Sequence, residues 1–143
     1  MPMTVADLLS KTDEELDALF AAAPRGDIPD GEAKGTAIIA AGTSFSDELA
    51  QLVSLFAWQG KIFDAEHGFL RNHILPFGLK AIVAKVYYGP SWMDQQDCIV
   101  IDYSETSIVA SRVRDEIRLI QPGLFLGKVY WDDGPLIHFA LEV

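Results

Sequence analysis

The sequence is poor in cysteine, histidine and basic side chains. Its single cysteine, Cys98, excludes an intramolecular disulfide, and apolar neighbours on a predicted strand favour a buried, unreactive thiol. The three histidines, His67, His73 and His138, lack the spacing of a metal site, so we predict neither a metal nor a cofactor. Aspartate and glutamate outnumber lysine and arginine by 21 to 11, giving a net charge of −10. Phosphate backbones repel such a chain, so we predict no nucleic-acid partner.

Long apolar runs and catalytic motifs are also missing. No run approaches the ~20 residues of a membrane-spanning helix, so we predict no membrane insertion. The first residues lack the basic and apolar segments of a signal peptide, so we expect a cytoplasmic protein. A phosphate-binding glycine-rich loop and a Gly-x-Ser-x-Gly elbow are both absent. The sequence therefore names no catalytic residue and leaves open whether the protein is an enzyme.

What the sequence does contain is a succession of short apolar stretches separated by turn residues. This spacing is typical of antiparallel hairpins. Together with an earlier strand at 32–40, it predicts eight strands, and eight strands suffice to close a small barrel. The turns are at Glu66-His67-Gly68, Pro76-Phe77-Gly78, Gly89-Pro90-Ser91, Gln121-Pro122-Gly123 and Asp132-Asp133-Gly134, and the later strands at 58–64, 69–75, 79–88, 97–103, 113–120, 124–131 and 135–142.

The first 57 residues are predicted to be mainly helical. Thr12 and Glu15 have the spacing of a capping box, which begins a helix over 13–23. Ser46 is typical of the start of a second helix, over 46–57. We therefore predict one domain over 1–143, in which the helical part at 1–57 contains one strand and 58–143 forms the hairpins. The segment 104–111 is compatible with a short helix or a loop.

Strand alternation divides the side chains between two faces. Both faces of strand 79–88 are largely apolar, which predicts that both are covered, one by the barrel interior and the other by a helix. Polar side chains inside such a wall need a partner, and a ligand can be that partner. We therefore predict ligand-binding roles, around an apolar interior, for Lys85, Arg112, Lys128, Tyr130 and His138.

Charges of alternating sign occupy the segment 111–118. Arg112, Arg114 and Arg118 alternate there with Asp115 and Glu116. One interpretation is a ladder of surface ion pairs between adjacent strands. The other is an arginine gate at the barrel mouth that binds a carboxylate or a phosphate.

Several segments together resemble a conserved bacterial protein family without an established function. They are Lys61-Ile62-Phe63, Lys85-Val86-Tyr87, Asp102-Tyr103-Ser104-Glu105-Thr106-Ser107, Arg114-Asp115-Glu116-Ile117-Arg118 and Pro122-Gly123-Leu124-Phe125-Leu126-Gly127. The overall plan is also similar to that of calycins, the lipocalin-like and fatty-acid-binding barrels, although the first strand reads Gly31-Glu32-Ala33 in place of the lipocalin Gly-x-Trp. The resemblance implies a small calycin-like β-barrel.

Three functions remain open at this stage. The first is the binding of a small, mostly apolar ligand, lipid-like or aromatic and optionally carrying a carboxylate, inside the barrel. The second is an isomerase or cyclase in the same cavity, using Tyr130, His138 or Asp102. The third is a homodimeric interaction module, which an exposed Trp92 or Trp131 or an open sheet edge would favour.

Overall fold

The computed structural model describes residues 2–39, 60–72, 82–104, 112–132 and 134–143. Within these ranges the chain forms two short helices followed by eight strands. The helices are α1 (Val5–Leu9) and α2 (Asp13–Ala22); the strands are β1 (Gly31–Ile38), β2 (Gly60–Asp64), β3 (Phe69–Asn72), β4 (Ile82–Pro90), β5 (Asp97–Asp102), β6 (Val113–Gln121), β7 (Leu124–Trp131) and β8 (Gly134–Glu142).

The eight strands form a closed antiparallel barrel in sequence order, as predicted. Closure comes from the pairing of β1 with β8, in which Gly35 lies opposite Leu141 and Ala37 opposite Phe139. Each described strand therefore has two hydrogen-bonded neighbours. The open sheet edge that would have favoured a dimer is not present among the described strands.

The predicted segments agree with the structure to within a few residues where it describes them. Strand β4 continues to Pro90, so the turn expected at Gly89-Pro90-Ser91 lies further along the chain, at 91–96. The predicted helix 46–57, the turn at 76–78 and most of segment 104–111 lie outside the described residues. Gly68 and Gly123, both predicted turn residues, have φ angles of 72° and 82°. Glycine adopts this left-handed region without the steric cost that other residues incur.

The barrel interior is lined by one apolar cluster to which every strand contributes. A cluster that includes all eight strands of a closed barrel must lie inside it. Its members are Ala33, Ala37, Phe63, Leu70, Ala84, Val86, Ile99, Ile101, Tyr103, Val113, Ile117, Phe125, Val129, Ile137, Phe139 and Leu141. Small side chains on β1 and β4 therefore face the larger ones contributed by β6, β7 and β8.

A second apolar cluster lies on the outer wall, under the N-terminal helices. Leu8 of α1 and both Leu16 and Phe20 of α2 pack there against the outer side chains of β1, β5, β7 and β8. The capping box predicted at Thr12 is present: Thr12 Oγ1 accepts from Glu15 N at 3.1 Å, and Glu15 Oε1 accepts from Thr12 N at 3.0 Å. Burying one apolar stripe per helix against the barrel stabilises helices too short to persist alone.

The outer face of β4 is not under α2. Val83 and Lys85 are partly exposed and Tyr87 is 38% exposed, whereas α2 packs against the opposite part of the wall. Helix 13–23 therefore does not cover this strand, and the other predicted helix, 46–57, lies outside the described residues. The sequence showed that both faces of this strand are apolar, but not which part of the barrel each helix reaches.

Residues 24–30 close one end of the barrel. Leu119 N donates to Pro24 O at 3.0 Å, Ile28 N donates to Tyr88 Oη at 3.1 Å, and Ile28 packs against the interior cluster. The strand ends at this side are those of β2, β4 and β6. The other end of the barrel is the one at which β2, β4 and β6 begin.

Candidate functional site

Two charged side chains are buried inside the apolar barrel. Lys61 of β2 and Asp115 of β6 are each 1% exposed. Lys61 alternates with Phe63 along its strand, and Asp115 alternates with Val113 and Ile117, all of which belong to the interior cluster. Both polar groups therefore point inward, where an uncompensated charge is costly.

The interior shifts the protonation of both groups. Burial lowers the pKa of Lys61 to about 8, although the nearby Asp115 charge opposes this change. Burial also raises the pKa of Asp115 to about 7, again against the effect of the opposite charge. Desolvation penalises the charged form of each group more than their mutual attraction favours it. Burial therefore favours the neutral form of both side chains.

Asp115 also carries an acceptor atom without a partner. Its Oδ1 is buried and receives no hydrogen bond from the described residues. Tyr103 belongs to the same interior cluster. Ile101 is the direct register partner of Asp115, so Tyr103, two residues further on, is its diagonal neighbour on the inner face. At that spacing an aromatic side chain is within reach of its neighbour.

These three polar residues lie towards one end of the barrel. Lys61 is the second residue of β2, Asp115 the third of β6, and Tyr103 directly follows β5. Because successive strands run in opposite directions, these positions share the end that lies away from residues 24–30.

Three of the predicted ligand-binding residues lie on the outer wall instead. Lys128 Nζ and His138 Nε2 lie 2.7 Å and 2.8 Å from Asp17 Oδ1 of helix α2. Tyr130 follows Lys128 on the same face of β7 and stacks edge-on against Trp92 at 5.2 Å. The expectation that these side chains surround the interior was wrong, because their neighbours in sequence, such as Val129 and Phe139, are the residues that face inward. Whether they bind a ligand on the outer wall is not tested and stays a prediction.

The Asp17 contacts attach helix α2 to the barrel. Burial alone would raise the pKa of Asp17, but the hydrogen bonds from Lys128 and His138 outweigh it and lower that pKa. A carboxylate held ionised beside two buried basic side chains acts as an electrostatic anchor. The structure therefore gives Lys128 and His138 a structural partner within the chain.

Lys85 and Arg112, the other two predicted residues, also lie outside the interior. Lys85 is on the outer face of β4 and is partly exposed. Arg112 immediately precedes β6 and pairs with Asp132, with its Nε 2.7 Å from Asp132 Oδ1. Its guanidinium also lies 5.3 Å from the Trp131 ring centroid. Their ligand-binding role, like that of the other three, stays a prediction.

The remaining arginines of segment 111–118 support the ion-pair interpretation. Arg114 Nε donates to Glu116 Oε2 at 3.1 Å, and this fully buried carboxylate also accepts from Ser91 Oγ at 2.6 Å and from Trp92 N at 2.9 Å. Arg114 and Arg112 thus both have carboxylate partners. An arginine gate would require at least one guanidinium without such a partner.

Arg118 is the most connected of these side chains. It is 1% exposed and pairs with both carboxylate oxygens of Asp94, each at 2.8 Å. It also donates to the carbonyl oxygens of Phe20 at 2.9 Å, Gln96 at 3.0 Å and Asp97 at 3.0 Å. One side chain therefore joins the end of α2 to the loop between β4 and β5.

The catalytic alternative placed Asp102, Tyr130 and His138 in the barrel cavity, and the structure separates them. Asp102 accepts from Tyr87 Oη at 2.8 Å and from Ser104 N at 2.9 Å, on the outer face of β5. His138 instead contacts Asp17. Burial raises the pKa of Tyr130, which disfavours a phenolate there. The three side chains are therefore outside the interior and belong to different sets of contacts.

Two surface grooves flank Trp92, which is 42% exposed. The groove of about 260 Å³ is lined by Trp92, Asp102, Ser104, Arg112, Val113, Arg114 and Asp132. The other, of about 470 Å³, is lined by Trp92, Met93, Gln95, Lys128, Tyr130 and Pro135. Both are open to solvent. Arg112 pairs with Asp132 in the first groove, and Lys128 of the second pairs with Asp17 of α2.

Sequence reasoning missed Lys61 and Asp115 for an identifiable reason. Lys61 stands beside Ile62 and Phe63, so alternation alone could not say whether it shares the inner or the outer face. Asp115 was grouped with the neighbouring charges, although its one-residue offset from Arg114 and Glu116 places it on the other face. Asp115 alternates with the apolar Val113 and Ile117, and this alternation was the signal in the sequence that its side chain faces inward.

Neither metal-ligand geometry nor similarity to known proteins identifies the chain. Among the described residues, no group of three or more His, Cys, Asp or Glu side chains could hold a metal ion. None of the described helices is long and apolar enough to cross a membrane. The chain matches no protein-family model, no curated protein and no solved structure.

Proposed function

We propose that the barrel binds a small, mostly apolar molecule whose polar group is a hydrogen-bond donor directed at Asp115. The observation that carries this proposal is the buried Asp115 Oδ1, which receives no hydrogen bond from the described residues in an otherwise apolar interior. An unmet acceptor in such a place costs about 1–3 kcal/mol, and a ligand donor would recover this energy. Eight-stranded barrels are of the size that holds one small ligand.

The charges of the interior select the polar group of the ligand. Lys61 already has Asp115 as an opposite charge, so the pair is balanced without a further anion. A ligand carboxylate would add a second negative charge next to Asp115. A hydroxyl or an N–H group donates to Oδ1 without adding charge. We therefore favour an alcohol or amide over the carboxylate-bearing ligand.

The test compares three probes that differ only in their polar end: 3-phenylpropanol, 3-phenylpropanoate and propylbenzene. Calorimetric titration and thermal shift should rank the alcohol above both other probes. Native mass spectrometry of freshly purified protein should also reveal any molecule retained during purification. Equal or tighter binding of the carboxylate would contradict the proposed donor, and failure of all apolar probes, with no retained molecule, would contradict binding altogether.

A matched pair of variants locates the site. Asp115→Leu removes the inward acceptor and should weaken alcohol binding about tenfold or more, since a hydrogen bond to a charged group contributes about 1.5–3 kcal/mol. Asp102→Leu makes the same change on the outer face of the neighbouring strand and should leave binding unchanged. Equal weakening in the two variants would place the ligand elsewhere.

A further inference from the structure

The Lys61 amine lies in surroundings that favour nucleophilic chemistry. It is 1% exposed, on the inner face of β2, among apolar side chains. Burial lowers its pKa to about 8, so roughly a tenth or more of the amine is neutral near pH 7. The neutral amine is the nucleophile, and a desolvated lysine in an apolar pocket is the usual form of a reactive one.

We propose that Lys61 captures apolar aldehydes or ketones as an imine inside the barrel, with the Asp115 carboxyl carrying the protons. This inference rests on the proposed binding function and names a second ligand class for the same interior. Geometry supports it, because both groups are buried and both alternate along their strands with side chains of the interior cluster.

The reaction balances without an oxidant or a reductant. The amine lone pair forms a C–N bond to the carbonyl carbon, the C=O π electrons move to oxygen, and a proton passes from nitrogen to oxygen to give a carbinolamine. Asp115 in its acid form then protonates the hydroxyl, which leaves as water while the C=N bond forms. The resulting iminium retains its N–H proton beside the Asp115 carboxylate, which balances its charge. Hydrolysis reverses these steps.

Lys128 and Lys34, unlike Lys61, do not lie in the barrel interior. Lys128 Nζ lies on the outer wall, 2.7 Å from Asp17 Oδ1. Lys34 is exposed on β1 and keeps the surroundings of an ordinary surface lysine. Lys34 therefore serves as an internal control in the same molecule, close in sequence to Ala33, the register partner of Lys61.

The experiment treats the full chain with 3-phenylpropanal and sodium cyanoborohydride near pH 7.5. Reduction fixes each imine as an amine, so every adduct adds the mass of the aldehyde minus one oxygen. Peptide mapping then gives the labelling rate of each lysine. We expect Lys61 to be labelled at least about tenfold faster than Lys34, because a larger fraction of its amine is neutral. Asp115→Asn removes the proton carrier and should slow the labelling of Lys61, even though loss of the carboxylate also favours the neutral amine, and it should leave the labelling of Lys34 unchanged.

Two further measurements separate this inference from the proposed function. Lys61→Met keeps an apolar stem of similar length and should lose the fast adduct, whereas binding of 3-phenylpropanol is measured on the unmodified protein. The rate ratio in the unmodified protein tests the inference even if this variant does not fold. Alcohol binding together with a Lys61 rate no higher than that of Lys34 would overturn imine formation alone. Absence of both alcohol binding and fast labelling would overturn both proposals.

Discussion

The packing of Phe139 over Gly127 gives the sharpest test of the barrel interior. The two residues are register partners on β8 and β7. A Cβ atom added at Gly127 would lie 2.2 Å, 2.3 Å and 2.7 Å from three atoms of the Phe139 ring. Ordinary carbon contacts are about 3.5–4.0 Å, so the ring would have to move by about 1 Å. Gly127→Ala is therefore expected to overpack the interior.

The expected cost follows from the burial of the ring. Phe139 is 1% exposed and has interior neighbours on all sides, so its movement displaces other side chains. Overpacking of this kind costs about 1–3 kcal/mol. Removing the backbone freedom of glycine returns about 0.5–1 kcal/mol. We expect Gly127→Ala to lower the free energy of unfolding by about 1–2 kcal/mol.

Urea unfolding, followed by tryptophan fluorescence and circular dichroism, measures the effect. Phe139→Leu removes the ring, so adding Gly127→Ala to that variant should cost at least about 1 kcal/mol less than adding it to the original protein. Gly134→Ala is the matched control, because its Cβ would come no closer than 3.6 Å to Trp131 O. A Gly127→Ala variant as stable as the original protein, with additive effects in the cycle, would refute this packing.

Three further predictions concern buried polar groups. Arg118→Met should lower the free energy of unfolding by about 3–5 kcal/mol, since it leaves Asp94 and three carbonyl groups without their donor. Arg112→Met removes one side of an exposed ion pair and should change the free energy of unfolding by less than about 1 kcal/mol in the same urea titration. The pKa of Asp115 rises from 3.8 to about 7 on folding, so the folded protein holds the extra proton between these pH values and its free energy of unfolding falls as pH rises through them. Relative to Asp115→Asn, the original protein should therefore lose up to about 3 kcal/mol of stability from pH 4.5 to 7. A stability difference between the two proteins that stays constant with pH would contradict the shift. Burial raises the pKa of Cys98 to about 12, so a thiol reagent should modify it only after unfolding in urea; rapid modification of the native protein at pH 8 would show that the wall opens.

Access to the proposed site is constrained by the same packing. The Phe139 ring occupies the interior beside Gly127, and Ile28 closes the adjoining end. Lys61 and Asp115 lie towards the opposite end. A ligand that contacts them would lie nearer the end at which β2, β4 and β6 begin, where Ala84 of β4 also belongs to the interior cluster.

Much of the architecture could be predicted from the sequence because it depends on local patterns. Turn residues such as Gly68 and Gly123 set the hairpins, since their φ angles are readily adopted by glycine. Thr12 and Glu15 start helix α2 through contacts three residues apart. A succession of antiparallel hairpins predicts neighbouring strands in sequence order, and this is the order observed.

The candidate site could not be predicted in the same way, because alternation divides side chains into two sets without saying which set faces inward. Lys128 and His138 lie on a face that is as apolar as the other, and only the docking of Asp17 from α2 shows that this face is the outer one. Lys61 and Asp115 come together across the barrel from β2 and β6, which are separated by more than fifty residues.

The sequence by itself determined the strand order, the antiparallel hairpins and the capped helix, since each depends on residues a few positions apart. Only the tertiary structure decided which polar groups are buried together. Barrel closure turns one side of every strand into a shared interior, and the position of α2 buries part of the other side. Desolvation then acts on Lys61 and Asp115 through this shared interior, and no local pattern in the chain encodes that effect.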